Sequence, residues 1–141
     1  MTTDDTQRIL IGLDGSDGSI DALRRGAQIA EALDMRLEAI TTWEYPSILG
    51  DYAPYAEWSP ESDAKQIATT AITQAFAASP PHRLTYRTVE GPAARVLIEQ
   101  SEDAYMLIVG SRGHGGFLGL LLGSVSAACA EHAHCPVLVM H

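Results

Sequence analysis

The sequence predicts an α/β fold: a doubly wound, five-stranded parallel sheet in the order 3-2-1-4-5 with helices on both faces. Three observations point to it. Apolar strand-like runs alternate with segments of helical periodicity along the whole chain. The runs are almost continuously apolar, as in strands buried on both faces. Glycine, proline and aspartate cluster at the joins between them. Alternation of this kind implies parallel strands linked by right-handed helical crossovers.

The first strand is the run from Arg8 to Leu13, stopped by a turn of aspartate, glycine and serine over positions 14–19. Ala22, Leu23, Gly26, Ala27, Ala30 and Leu33 follow at helical spacing, with Ser16, Asp17 or Ser19 as the cap. Arg36 to Trp43 is the second strand, and Ala64, Ile67, Ala68, Ala71, Ala75 and Phe76 mark the second helix. Leu84 to Val89 is the third strand. Pro92 stands where proline favours opening a helix, ahead of Val96 and Leu97. Tyr105 to Val109 is the most apolar strand, a last helix runs from about Ser124 to Ala133, and Pro136 to Met140 closes the sheet. The stretch from Tyr45 to Pro60 has no periodic pattern but holds Tyr45, Tyr52, Tyr55 and Trp58; it reads as a surface excursion or as a lid over a bound base.

A length of 141 residues suits a single domain over 8–141 with a flexible tail over 1–7. The polar, acidic start lacks the features of a secretory signal, and no apolar run is long enough to span a bilayer, so a cytoplasmic protein is expected. Nine basic against eighteen acidic residues give a net charge of −9. A surface of that sign repels phosphate backbones and anionic lipid, which argues against nucleic acid and membrane as partners. It also means that an anionic ligand must be held by backbone N–H groups, helped by a metal ion that the ligand carries.

The chemistry concentrates after the fourth strand. Six of the twelve glycines lie between 110 and 123. Glycine admits positive φ and close approach of a ligand to the backbone. Successive N–H groups of such a loop form an anion nest, and the loop feeds a helix whose N-terminus suits phosphate. The glycines could equally serve only a tight connection. No Gly-Lys-Ser/Thr sequence marks a P-loop, and the dinucleotide fingerprint belongs after a first strand.

The spacing Gly110-x2-Gly113-x9-Gly123-Ser124 resembles the nucleotide motif of the ATP-binding branch of the universal stress protein family. Ile9 to Ser16 resembles the opening strand of that family, Val89 to Leu97 its third-strand exit, and Cys135 to Val139 its closing strand, so the likeness covers residues 8 to 140. The resemblance implies that Asp14 faces the adenosine or its metal and that Thr42 sits where main-chain groups read the adenine edge. It implies that Val109 and Gly110 line the nucleoside, while Gly113, Gly123, Ser124, Val125 and Ser126 surround the phosphates. Arg112 is a candidate phosphate partner. The expected cofactor is ATP with Mg2+ held through the phosphates. Asp14 also reads simply as a turn-former before Gly15, and the polar end of strand two, with Thr41 and Thr42, departs from the aliphatic run usual in the family.

Other clusters are discounted. Cys129, His132, His134 and Cys135 match no common zinc spacing; both cysteines read as reduced and buried, and Cys129 and His132 as core residues on one helical face. His114 has no second group placed to orient it as a base. Catalysis is expected to be weak or absent. The function that follows is a nucleotide-dependent regulatory module acting on a protein partner that the sequence does not identify. A slow ATPase and a nucleotide-free interaction protein are the alternatives. Strand 136–140, apolar and at a sheet edge, is expected to pair with a second copy in a homodimer.

Overall fold

The computed structural model describes residues 7–46, 59–113 and 122–141. The predicted tail up to residue 6, the aromatics Tyr52, Tyr55 and Trp58, and His114 lie outside the described residues.

Five strands form one parallel sheet in the order β3-β2-β1-β4-β5, as the sequence predicts. They are β1 (Arg8–Gly12), β2 (Arg36–Trp43), β3 (Leu84–Glu90), β4 (Met106–Gly110) and β5 (Val137–Met140). The helices are α1 (Asp17–Leu33), α2 (Pro60–Phe76), α3 (Ala93–Gln100) and α4 (Ser124–His132). Ser16 is the cap that α1 uses, its side chain accepting from the Ser19 N–H. Helix α2 starts earlier than the apolar positions indicate, because Ser59 caps it and Pro60 occupies the first turn, where a missing N–H has no cost. A short 3-10 turn over Ser101–Asp103, which the apolar pattern does not announce, links α3 to β4.

Period-two alternation divides the strands between two cores. Ile9, Ile11, Leu37, Ala39 and Ile108 face α1 and α2 with Leu23, Ala68 and Ala71. Leu10, Ile40, Leu107 and Val109 face the other way, with Val96 and Leu97 of α3 and Cys129 of α4. Ile9, Leu10 and Ile11 are all fully buried, which accounts for the unbroken apolar run of β1. Arg8, at the head of that run, is buried too, and it is ion-paired to Glu38 on β2 at 3.5 Å and to Asp103 at 3.1 Å. Its Nη2 also donates to the Gln100 carbonyl at 2.9 Å, so the polar lower end of the sheet holds the 3-10 turn in place.

The winding reverses between β1 and β4. Ligands of such sheets collect outside the carboxyl ends of the strands at that reversal.

Candidate nucleotide site

A cavity of about 390 Å³ opens at the reversal, and all ten positions singled out in the sequence line it: Asp14 beyond β1, Thr42 near the end of β2, Val109 and Gly110 at the end of β4, Arg112 and Gly113 just beyond it, and Gly123 to Ser126 at the start of α4. Four separated segments converge on one volume. The lining also includes Gly12, Leu13, Ser16, Ser19, Ala93 and Leu97, which the motif does not contain. The Asp14-x-Ser16 and Ser16-x-x-Ser19 spacings carry a local signal for the two serines. Ala93 and Leu97 carry none, because only tertiary packing sets α3 against this end of the sheet.

The β1 side is wired by side chains. Asp14 Oδ1 accepts from the Ser16 N–H at 2.9 Å and from the Ser16 hydroxyl, an Asx turn. The Ser16 Oγ accepts from the Ser19 N–H, and the Ser19 Oγ donates to the Ser16 carbonyl at 2.9 Å. Asp14 is thus a turn-former and a cavity residue together. Below it, Leu13 is fixed to β2 by its N–H donating to the Ile40 carbonyl and by the Thr41 hydroxyl donating to the Leu13 carbonyl, at 2.9 and 2.8 Å. Of the two threonines that end β2, Thr41 is therefore structural and Thr42 faces the cavity.

The β4 side is wired by backbone. The Ser111 N–H donates to the Met140 carbonyl of β5 at 2.7 Å. The Ser111 carbonyl accepts from the Gly123 N–H at 2.6 Å and from the Ser126 hydroxyl at 2.9 Å. These bonds close the segment between 111 and 123 at its base. Ser126 is buried and its hydroxyl is engaged with carbonyls of Ser111 and Gly123, so it meets the cavity as part of the helix turn it staples.

The glycines of the motif differ in what requires them. A Cβ on Gly110 would stand 2.8 Å from the Gly18 carbonyl carbon and 3.0 Å from the Ser19 nitrogen, so backbone meets backbone where α1 crosses β4. A Cβ on Gly113 would stand 2.6 Å from Asp14 Oδ2. At Gly123 the nearest atoms are 3.4 Å or more away, and φ is −70°. Backbone excludes a side chain at 110, the Asp14 carboxylate would have to move to admit one at 113, and at 123 a Cβ meets only ordinary van der Waals contacts. No side chain caps α4 at Gly123.

Asp14 and Arg112 are the charged residues of the lining. Among the described residues no three His, Cys, Asp or Glu side chains converge as a metal site. A larger hollow of about 590 Å³ lies at the other end of the sheet. Its arginines are already engaged: Arg24 Nη2 donates to the Gln74 carbonyl at the end of α2, and Arg83 pairs with Asp34 at 2.9 Å. Chemistry therefore favours the smaller cavity over the larger.

Two expectations are corrected near α4. His132 is not a core residue; its side chain is exposed, 3.8 Å from the Glu131 carboxylate, because the helix ends there, beyond Cys129, its last buried position. Cys129 is fully buried, and burial with the neighbouring Cys135 pushes its thiol up to about 11. Cys135 is only partly buried, since it precedes the edge strand; burial raises its thiol, while the Leu107 backbone and Arg8 act the other way. Both are free.

Fold and cavity together define a doubly wound α/β protein with a ligand cleft at its switch point. Comparison with known proteins names the family: the chain belongs to the Universal stress protein family, whose model matches residues 5–141. Universal stress protein Rv2624c of Mycobacterium tuberculosis is 35% identical over 134 residues, covering 94% of this chain and 47% of that protein. Universal stress protein MJ0531 of Methanocaldococcus jannaschii is 30% identical over 139 residues, covering 95% and 81%. The chain spans about half the length of the mycobacterial relatives it matches. Among solved structures, universal stress protein UspA from Lactobacillus plantarum superposes with a TM-score of 0.78 at 18% identity over 96% of this chain and 98% of that one. A universal stress protein in complex with cAMP superposes at 0.62 with 31% identity, covering 96% of each. No helix of the described residues is long and apolar enough to cross a membrane.

Proposed function

We propose that this protein binds an adenine nucleotide, ATP first, in the cleft between β1 and β4, and acts as a nucleotide-dependent regulatory module in a cytoplasmic stress response. One observation carries the reading: α4 starts without a side-chain cap at Gly123, where a Cβ would meet only ordinary van der Waals contacts, beside a cavity lined by every motif position. A phosphate at that helix start would use its free N–H groups and the positive end of its dipole. The apolar walls of Ile40, Leu97 and Val109 suit a nucleoside. Asp14 is the single carboxylate of the lining, so a Mg2+ ion would reach the site on the phosphates, with Asp14 nearby.

Protein purified without added nucleotide, then denatured and resolved by ion exchange, should release ATP. Release of ADP alone would favour a slow ATPase, and release of neither, with no ATP binding by calorimetry, would remove the reading. A second reading, a cyclic nucleotide, rests on the 31% identical relative described in complex with cAMP; competition of cAMP against labelled ATP ranks the two.

The same module would act as a homodimer through β5. That strand ends the sheet, and Val137 and Val139 pack on one core while Leu138 and Met140 pack on the other, leaving a short apolar edge half-buried. Light scattering at micromolar concentration should give twice the chain mass, and Val139→Pro, which removes a ladder donor, should give the monomer. A wild-type monomer would overturn the dimer.

A further inference from the structure

We infer that Arg112 makes this cleft discriminate among nucleotides by the number of their phosphates, favouring ATP and ADP over AMP; the inference rests on the nucleotide reading above. Arg112 is the cationic side chain of the lining. Arg8, Arg24, Lys65, Arg83, Arg87 and Arg95 are each within 4.0 Å of a carboxylate. Arg25, Arg36 and Arg112 have no such partner among the described residues, and of these three only Arg112 lines the cleft, in a chain with twice as many acidic as basic groups. An unpaired guanidinium on the wall of a cleft, in a protein of charge −9, is a cation held in reserve for an anion that is not part of the chain.

Its position fixes which part of the ligand it serves. The inner walls, Ile40, Leu97 and Val109, are buried and apolar, whereas Arg112 and Ser124 are exposed at the rim. A nucleoside on the inner walls directs its phosphate chain outward past the start of α4. The Gly123 N–H bond to the Ser111 carbonyl holds that helix start against the Arg112 backbone: a Cβ on Gly123 would stand 3.4 Å from the Arg112 Cα. The first phosphate therefore meets backbone N–H groups, and the later ones meet the guanidinium, whose planar fork matches phosphate oxygens. The net negative charge of the chain opposes each added phosphate, and Arg112 offsets that opposition locally.

The test titrates AMP, ADP and ATP, in buffer free of divalent metal, into wild type, Arg112→Gln and Arg112→Lys by calorimetry. Arg112→Gln should lower ATP affinity about 10- to 100-fold and AMP affinity by less than about twofold. Arg112→Lys should recover part of the loss, since it keeps the charge without the fork. ATP binding to Arg112→Gln should also depend less steeply on salt. Equal losses for AMP and ATP would mean that Arg112 only shapes the loop, and an unchanged ATP affinity would mean that it touches no phosphate; either result overturns the inference while the nucleotide reading stands. A wild-type protein that binds none of the three overturns both.

Discussion

Three helices begin at the same cleft, and two of them, α1 and α4, begin differently. Helix α1 is closed by its own residues: Ser16 caps the Ser19 N–H, and Asp14 in turn holds Ser16. Helix α4 starts at a glycine with no side-chain cap, and its anchor, the Gly123 N–H to the Ser111 carbonyl, lies behind the helix start. The N-terminus of a helix leaves about four N–H groups without intrahelical partners. In α1 the protein supplies acceptors from within; in α4 it leaves the first turn facing the cavity. The pair shows why glycine content alone is a poor guide to function, since Gly18 and Gly110 belong to packing at the closed helix while Gly123 belongs to the open one.

The largest effect should come from breaking the closed side. Gly110→Ala places a methyl group against Gly18 and Ser19 backbone, which has no rotamer to yield, and should destabilise the fold by about 2–3 kcal/mol. Urea denaturation should show a lower midpoint at unchanged slope; a midpoint equal to wild type would mean that α1 is not held against β4. Gly123→Val should do the reverse, leaving circular dichroism and the urea midpoint close to wild type while ATP affinity falls about 100-fold, because the added groups occupy phosphate space at the mouth of the helix. Unchanged affinity in a folded variant would remove the central claim.

Making the open helix resemble the closed one sharpens the contrast. Gly123→Ser offers α4 a hydroxyl cap, so the ligand-free protein should gain a few tenths of a kcal/mol while ATP binds more weakly. Stability and affinity rising together would refute the competition between cap and ligand. Ser16→Ala, which opens α1, should cost about 1 kcal/mol by urea denaturation. A loss too small to measure would show that Asp14 alone maintains the turn. Smallest of all, Cys129 should resist iodoacetamide in the native state at pH 8, since its thiol is buried and pushed to about 11; rapid labelling, read by mass spectrometry, would contradict that burial.

Much of this was legible in the sequence because it rests on local rules. The strands read as apolar runs because each must be buried on both faces of a parallel sheet, and the joins read as turns because glycine and aspartate are needed there. The candidate site was legible through the spacing of Gly110, Gly113, Gly123 and Ser124. Arg8 was legible only as the polar start of an apolar run, since its partners Glu38 and Asp103 lie far along the chain. His132 was misplaced because helical periodicity assigns a face and says nothing of where packing along that face stops.

The sequence by itself determined the order and kind of the elements, the sheet they form and the loop that carries the glycines, since these follow from periodicity, burial and turn chemistry within short windows. The tertiary structure alone decided what each glycine is for. Whether a Cβ would strike Gly18 or Asp14, or meet only ordinary van der Waals contacts, is a matter of distances between segments remote in the chain, and those distances exist only once α1, β4 and α4 have met at the reversal of the sheet.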